Sequence, residues 1–357
     1  MLKNAPLSLK NKRIILSKIN QIGDVIFALP LAYLLKQVDP TCHIIFLGQA
    51  YTQSLIESCL DIDEFANWTE IQNKNNFSLL SLKEKAALFQ NFNADIFINI
   101  YPNKTIAQLA KLAKIPIRIG TSHRLFHWWT CNYRVSLSRK KSPLHESQLD
   151  LYLLKALGLR YQYSLDEIIP MRRFSLEKLT KKLSLQEIQT VEKFLDQKKF
   201  NLILHPLTRG RHIEWPLKSF DALCDRLNSE KFNILMTGTA AEGEIIRPVL
   251  MQKKRSHVQD TTGQLTLNQL IYLIFKINGL VCASTGPIHI AAALNKSVLG
   301  LYAPIKPFDA GRWGPIGEKA EVLCIEKKCE ACRVSLHCEC IKKIPVSMVL
   351  EKINHWI

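Results

Sequence analysis

The sequence lacks a long apolar run, since no stretch approaches the roughly 18 residues needed to span a lipid bilayer. Its first residues, MLKNAPLSLKNKR, are polar and basic, with no apolar segment of the signal-peptide type after the charges. Internal repeats and low-complexity tracts are also absent. Together these absences predict a cytoplasmic globular protein.

Acidic residues are scarce: 31 Asp and Glu stand against 48 Lys and Arg, which gives a net charge of +17. Such an excess indicates an anionic partner, which is a nucleic acid, an acidic membrane surface or a phosphorylated substrate. The sequence contains no recognition-helix or RNA-binding signature, so we expect no nucleic-acid partner. The basic residues indicate a membrane surface or an anionic acceptor, or they simply form a solvated basic face.

The length of 357 residues fits two domains of about 150 residues each. Apolar strand-like runs alternate with helical patterns in both halves, which predicts an α/β fold with two doubly wound parallel sheets. Apolar periodicity is lost around Ile168–Lys182, so we predict domains of residues 1–170 and 171–357. The predicted strands are Arg13–Ser17, His43–Leu47, Asp95–Ile100, Ile117–Gly120, Asn201–His205, Phe232–Thr237, Gly279–Ala283 and Ser297–Tyr302.

The motif GLVCASTGPIHIAAA in the second half predicts a strand, a turn and a helix. Pro287 suits the first helical turn, and the N–H groups of Thr285, Gly286 and Ile288 would point out of the helix N-terminus. Unpaired N–H groups and the helix dipole bind phosphate, and Gly286 allows close approach. We therefore predict a phosphorylated ligand here, with an ordinary strand–turn–helix as the alternative.

Polar groups follow three other predicted strands. Asp24, after the first strand, is either a helix N-cap or a carboxylate available as a general base. Thr208, Arg209 and Arg211 form a diphosphate clamp or a basic surface loop. Glu242 either binds a ribose or caps a helix. A dinucleotide-dependent oxidoreductase is disfavoured because no G-x-G-x-x-G follows the first strand.

The cysteines Cys329, Cys332, Cys338 and Cys340 form a cluster dense enough to hold a structural zinc. Their spacing matches no standard zinc pattern, and free thiols are the default in a reducing cytosol. Zinc therefore remains the less favoured of two alternatives. The five cysteines before Cys324 lie among apolar residues and are predicted to be buried.

Taken together, these motifs resemble glycosyltransferase family 9, the bacterial heptosyltransferases, over nearly the whole chain. The matching segments are Ile22-Gly23-Asp24 to Pro30, Arg118-Ile119-Gly120, His145 to Gly158, His205 to Pro216, Thr237-Gly238 to Glu242, Thr262 to Leu270, Ser284–Leu294 and Gly300–Pro304. The cysteine cluster and the Ile344–Leu350 tail are also similar to that family.

The resemblance implies a GT-B architecture, with an acceptor site in the first Rossmann-like domain and a nucleotide-sugar site in the second. It implies transfer of heptose from ADP-heptose to the inner core of lipopolysaccharide, with inversion and without a metal or other cofactor. The acceptor would be an anionic lipid A/Kdo core at the cytoplasmic face of a Gram-negative inner membrane, with peripheral attachment. Asp24 matches the base position, and the donor positions are Thr208, Arg209, Arg211, Glu242, Ser284, Thr285, Gly286, Pro287 and His289.

Two departures concern donor binding. Ile213 and Glu214 precede Trp215 where members often place a Lys, and Ser284 stands where many carry Asp. A transferase of another nucleotide sugar, or a catalytically silent binding protein of the same fold, therefore remains an alternative.

Overall fold

The structure is a computed structural model that describes residues 6–73, 77–139, 142–210, 213–306, 309–325, 329 and 339–357. The chain divides into two compact units, Met1–Lys178 and Leu179–Ile357. The boundary lies eight residues beyond the predicted one, and it falls inside a helix, Leu176–Thr180.

Unit 1 (Met1–Lys178) alternates strands with helices. Its strands are β1 (Arg13–Ser17), β2 (His43–Gly48), β3 (Glu64–Asn67), β4 (Ile96–Asn99), β5 (Ile117–Thr121) and β6 (Tyr133–Val135). Its helices are α1 (Ile22–Val38), α2 (Gln53–Ser58), α3 (Trp68–Asn73), α4 (Leu82–Gln90), α5 (Lys104–Leu112), α6 (His127–Thr130), α7 (Glu146–Leu151), α8 (Leu165–Ile168) and α9 (Leu176–Thr180). Short 3-10 helices cover Ala50–Thr52, Tyr152–Leu157 and Ile169–Met171.

The strands of unit 1 form one parallel sheet in the order β3-β2-β1-β4-β5-β6. This is the order of a dinucleotide-fold sheet, and β1 is central because it pairs with β2 and β4. Ile15, Ile45 and Phe97 lie in the same register and are buried on one face beneath α4 and α5. All carboxyl ends lie at one edge, where the chain leaves β1 for α1 and β5 for α6.

Unit 2 (Leu179–Ile357) repeats the plan. Its strands are β7 (Phe200–His205), β8 (Phe232–Met236), β9 (Val258–Asp260), β10 (Gly279–Ala283), β11 (Ser297–Leu301) and β12 (Ala320–Leu323). Its helices are α10 (Leu185–Glu192), α11 (Leu217–Arg226), α12 (Ala240–Leu250), α13 (Leu267–Lys276), α14 (Gly286–Ala293), α15 (Ala310–Trp313) and α16 (Val346–Asn354). A 3-10 helix covers Ile341–Lys343.

The sheet of unit 2 is also parallel, in the order β12-β11-β10-β7-β8-β9. Strands β10, β7 and β8 are neighbours, so the three motifs that follow them start from one stretch of the sheet edge. Trp215 is buried in the core on one face, and its indole Nε1–H donates to the carbonyl of Ile344 at 2.9 Å. The loop between β7 and α11 is thereby tied to the C-terminal tail.

The sequence predicted the central strands to within one or two residues and missed the edge strands β3, β6, β9 and β12. Two helix predictions are wrong in detail. The apolar periodicity after the first strand predicts a helix that starts at Val25, but α1 begins at Ile22. The pattern of residues 145–158 predicts one helix with Gly158 as its C-cap, but this stretch is α7 followed by a 3-10 segment. Gly158 does cap that segment, with a left-handed φ of 74°. Within the described residues, no helix is both long and apolar enough to cross a bilayer.

Candidate functional site

Asp24 lies in the first turn of α1, just after the carboxyl end of β1. The N-cap of this helix is Gln21, which makes no side-chain capping hydrogen bond, so the alternative interpretation of Asp24 as the N-cap is wrong. A carboxylate in the first turn is stabilised by the helix dipole. As a whole residue, Asp24 is half-buried.

A buried ion-pair network lies beside Asp24. Lys18 follows β1 directly, and its Nζ lies 2.5 Å from Oδ2 of Asp150, with the two side chains 1% and 0% exposed. Arg139 donates to Oδ1 of Asp150 at 2.8 Å and to the carbonyl of Ile100 at 3.1 Å, and it also pairs with Glu146. Asp150 therefore joins the β1 turn, the segment after β6 and helix α7.

This environment sets the ionisation of Asp24. Burial is the largest influence and raises the pKa of its carboxyl group above the ordinary value of 3.8. Lys18 and Arg139 lower that pKa by electrostatic attraction, Asp150 raises it, and a hydrogen bond with the side chain of Asn20 lowers it. The net pKa is raised, which makes the carboxylate a stronger base than an exposed Asp.

Three buried polar atoms at this edge have no hydrogen-bond partner within the described residues: Oγ of Ser17, Oδ1 of Asn20 and Oδ1 of Asn99. Ser17 and Asn99 are register partners at the ends of β1 and β4. Buried polar groups are nearly always hydrogen-bonded, so these atoms indicate a place for a polar ligand or water. The amide of Asn99 is fixed, because its Nδ2 donates to the carbonyl of Asn103 at 3.3 Å.

In unit 2, the loop after β7 is joined to the turn after β8. Nδ1 of the buried His205 lies 2.8 Å from Oγ1 of Thr237, and burial lowers the pKa of His205, which keeps it neutral. The backbone N–H of Arg209 donates to Oε1 of Glu242 at 3.0 Å. Arg209 has a left-handed φ of 57° and an exposed side chain. Arg211, the other predicted clamp residue, lies outside the described residues.

Glu242 is the third residue of α12 and completes a capping box with Thr239. Its Oε2 accepts from the N–H and Oγ1 of Thr239 at 2.7 and 2.9 Å. Burial raises the pKa of Glu242, but the hydrogen bonds that its carboxylate accepts from Thr239 and from the backbone of Arg209 outweigh burial, so the net pKa is lowered. Glu242 therefore caps helix α12, which is one of its two predicted roles, and its contact with a ribose stays a prediction.

Glu214 contacts Thr208, one of the residues predicted to bind the diphosphate of the substrate. Its Oε1 accepts from the backbone N–H of Thr208 at 2.5 Å and from Oγ1 of the same residue at 2.8 Å. Thr208 is buried and Glu214 is half-buried. A carboxylate of this chain therefore already binds the two hydrogen-bond donors that Thr208 would offer to a phosphate.

The predicted phosphate turn Ser284–Pro287 leads from β10 into α14. Thr285 is the N-cap, but its Oγ1 contacts Sγ of Cys282 at 3.3 Å and makes no capping hydrogen bond to the helix. By contrast, α4, α10, α12 and α13 each begin with a complete capping box. The backbone N–H groups of Thr285 and Ile288, which the sequence predicted to bind phosphate, hydrogen-bond the thiol of Cys282. An anion at this turn would therefore compete with that thiol, and His289 is buried one turn further on.

The zinc prediction is only partly within the described residues. Cys332 and Cys338 lie outside them, while Cys329 and Cys340 lie in one small apolar cluster with Ile305. Among the described residues, no three His, Cys, Asp or Glu side chains form a group that could share a metal ion. Zinc binding therefore stays the less favoured alternative, and free thiols stay the prediction. The five earlier cysteines are buried as expected.

Sequence reasoning missed Lys18, Asn20 and Asp150, and it treated Glu214 only as a departure from a family pattern. Two signals were available. Lys18 is a charged residue directly after an apolar strand, and Asp150 stands inside an apolar helical stretch. A buried charge implies a partner, but the sequence does not say which one.

Two α/β units with sheets of the same order, and with polar loops at their carboxyl edges, define a two-domain protein of the GT-B type. The chain belongs to glycosyltransferase family 9, the heptosyltransferase family, whose model matches residues 85–341. It is a glycosyltransferase, and the family predicted from its motifs is confirmed. Asp24 precedes the matched residues.

Relatives of known name agree with this membership. Lipooligosaccharide heptosyltransferase 2 of Haemophilus influenzae is 29% identical over 112 residues, which are 30% of this chain and 32% of that protein. A family 9 glycosyltransferase of Veillonella parvula is 20% identical, with a TM-score of 0.76 over 98% of both chains. The E. coli heptosyltransferase WaaC with ADP-2-deoxy-2-fluoro heptose is 13% identical, with a TM-score of 0.68 over 96% of this chain and 99% of that one.

The buried ion pair generates a stability prediction. Replacing Asp150 with Asn leaves Lys18 buried beside a neutral group, so we expect the free energy of unfolding to fall by about 3–5 kcal/mol. Glu244→Gln is the control, because Glu244 is 79% exposed and pairs only with Arg247 three residues on, within the described residues. It should cost less than about 1 kcal/mol. Urea unfolding measures both, and equal small losses would contradict a buried charged pair.

Proposed function

We propose that this protein is an inverting heptosyltransferase that moves heptose from ADP-heptose to the inner core of lipopolysaccharide. The observation that carries the proposal is Asp24, a half-buried carboxylate with a raised pKa, fixed beside three charged side chains at the carboxyl edge of unit 1. The names of relatives supply the sugar and the acceptor class.

In this proposal unit 1 binds the acceptor. Asp24 takes the proton from an acceptor hydroxyl, whose oxygen then attacks the anomeric carbon from the face opposite ADP. The bond from that carbon to the diphosphate oxygen breaks, and ADP leaves with the electron pair. The buried Oγ of Ser17 can donate a hydrogen bond to a sugar hydroxyl or accept one from it, and the buried Oδ1 of Asn99 can accept one.

Unit 2 binds the donor in this proposal. First-turn N–H groups of α14, the hydroxyls of Ser284 and Thr285, and Arg209 would neutralise the diphosphate as its charge grows, which is the largest electrostatic contribution. Pro287 and Gly286 shape the turn, and Glu242 holds the β7 loop through Arg209. Charge neutralisation by protein groups accounts for a reaction that needs no metal ion.

The acceptor in this proposal is an anionic lipid carrying Kdo, at the cytoplasmic face of a Gram-negative inner membrane. The net charge of +17 supports attraction to such an acceptor. The protein would be cytoplasmic and peripherally attached. Acceptor-dependent release of ADP from ADP-heptose in EDTA, with heptose-deficient lipopolysaccharide as acceptor, tests donor, acceptor and metal independence together. ADP-heptose binding without release would favour a silent binding protein, and no binding would indicate a different donor.

The base assignment predicts a selective loss of turnover. Asp24→Asn should lower kcat roughly 100- to 10,000-fold, because general base catalysis contributes that much. The affinity for ADP should stay unchanged, as measured by calorimetry. Asp166→Asn is a matched control, since Asp166 is an exposed carboxylate in the first turn of α8. Loss of ADP binding in Asp24→Asn would contradict the assignment.

The pH dependence should report the same carboxyl group. A base must be deprotonated, so kcat/KM should fall as pH drops through the raised pKa of Asp24. Asn20→Ala removes a hydrogen bond that lowers this pKa, so the acid limb should move to higher pH, with activity recovered well above it. The measurement is kcat/KM against pH for both enzymes. An unmoved or downward-shifted limb would count against Asp24 as the titrating base.

Glu214 should weaken donor binding. Its carboxylate accepts both donors of Thr208 and carries a charge of the same sign as a diphosphate. Glu214→Gln keeps an acceptor oxygen and removes the charge, so we expect ADP to bind more tightly, roughly threefold to tenfold for partial screening of one like charge. Calorimetry with ADP, and with adenosine as a control that lacks phosphate, measures the effect. Weaker ADP binding would mean that Glu214 instead holds the loop open for the ligand.

A further inference from the structure

The positive charge of the chain is concentrated in one segment. Residues 96–145 contain nine Lys and Arg and no Asp or Glu, so they carry +9 of the net +17. The segment covers β4, α5, β5, α6 and β6, which make up one half of the unit 1 sheet and its β6 edge. If the basic residues served only to solvate the surface, we would expect them to be spread along the chain together with acidic residues.

Exposed apolar side chains lie in the middle of this segment. Leu125 is 77% exposed, Trp128 is 57% exposed and Trp129 is 56% exposed. The N–H of Trp128 donates to the carbonyl of Leu125 at 2.9 Å, so the three residues occupy one helical turn at spacings of three and four. Residues at those spacings project from the same side of a helix. We call Ser122–Thr130 the tryptophan turn.

The tryptophan turn is fixed from beneath by a buried residue. His127 is fully buried, its Nδ1 lies 2.8 Å from the carbonyl of Thr121, and its Nε2 lies 3.0 Å from Nδ2 of Asn99. Burial lowers the pKa of His127, so the ring is neutral and bridges β5 to β4. Indole Nε1–H of Trp128 donates to the carbonyl of Ser122 at 3.0 Å. The exposure of the indoles is therefore a property of an ordered turn.

The described elements that pack most extensively against α6 and β6 contain basic residues and no Asp or Glu. Helix α6 packs against α5 and β5, and β6 packs against β5 and the 3-10 helix Tyr152–Leu157, all of which lack Asp and Glu. The guanidinium of Arg134 stacks over Trp128 at 4.8 Å. The exposed basic residues, none of which forms an ion pair within the described part of the chain, are Lys104, Lys111, Lys114, Arg124 and Arg134.

We propose that the tryptophan turn and its basic surroundings dock unit 1 on the anionic surface of a lipid bilayer. Indole rings prefer the interface between lipid headgroups and acyl chains, and a leucine beside them buries apolar area there. Lys and Arg near a surface of anionic lipids add attraction that falls off within a Debye length. A nucleic acid would be attracted by the positive charge, but its binding would not explain why the apolar side chain of Leu125 is exposed. A protein partner would not explain why residues 96–145 contain no Asp or Glu.

The location suits the proposed reaction, on which this part of the inference rests. The tryptophan turn follows the carboxyl end of β5, at the same sheet edge from which β1 leads to Asp24. A lipid-linked acceptor would then reach the edge that carries the base while its lipid stays in the bilayer. Binding to vesicles without any acceptor separates the docking inference from the proposed transfer.

The test is flotation of the full-length protein with vesicles of phosphatidylcholine, alone or mixed with phosphatidylglycerol, at low and high salt. We expect binding only to the mixed vesicles, with loss at high salt. Leu125→Gln combined with Trp129→Gln should lower the partition coefficient by at least about tenfold. Leu185→Gln, at a residue of unit 2 that is 78% exposed, should leave it unchanged.

Charge is tested in the same assay. Lys111→Gln with Arg124→Gln should weaken binding to mixed vesicles severalfold, whereas Lys198→Gln with Lys254→Gln, exposed residues of unit 2, removes equal charge and should have little effect. Unchanged thermal unfolding confirms that each variant is folded. Equal losses in the two charge variants, or wild-type binding to phosphatidylcholine alone, would overturn the proposal. Displacement of vesicles by duplex DNA, with Leu125→Gln still binding DNA normally, would assign the charge to a nucleic acid instead.

Discussion

The unit 1 site depends on one buried interaction, the ion pair between Lys18 and Asp150. Taking two charges out of water is costly, and the cost is offset only when both groups are fully hydrogen-bonded. For Asp150, Arg139 contributes to this by binding the second carboxylate oxygen. Lys18 follows β1, whereas Arg139 and Asp150 lie close together in sequence, 11 residues apart, more than 100 residues further on. The geometry around Asp24 is therefore fixed by two regions of the chain that are distant in sequence.

Unit 2 uses carboxylates differently, to hold backbone N–H groups of its loops. Glu242 accepts a hydrogen bond from the N–H of Arg209, and Glu214 accepts one from the N–H of Thr208. Carboxylates of the chain itself therefore bind the backbone N–H groups of two adjacent loop residues. Glu242 also completes a capping box, and moving it would uncap α12. Glu214 has no such second role in the hydrogen bonds of the described residues, so it is the carboxylate that a diphosphate would displace at lower cost.

The sequence predicted central strands well because they are continuous apolar runs between turn signals, as in Arg13–Ser17 and Gly279–Ala283. It missed edge strands such as Val258–Asp260, which are short and half-buried and so lack that pattern. The site shows the same division. Motif residues such as Thr285 and Asp24 could be proposed from local patterns, whereas Asp150 could not, because its partner Lys18 is 132 positions away and no local pattern encodes that pairing.

The cations of unit 1 fall into two groups with different surroundings, which the net charge of +17 alone does not show. Around Asp24 the cations are buried and balanced, since Lys18 and Arg139 both contact Asp150 and Arg139 also pairs with Glu146. Such cations tune a pKa and are poorly screened by salt. Around the tryptophan turn the cations are exposed and have no acidic neighbours, so their attraction is long-range and is weakened by salt. Salt should therefore weaken the proposed surface docking and leave the ionisation of Asp24 largely unchanged, so the two effects of positive charge can be measured separately in one protein.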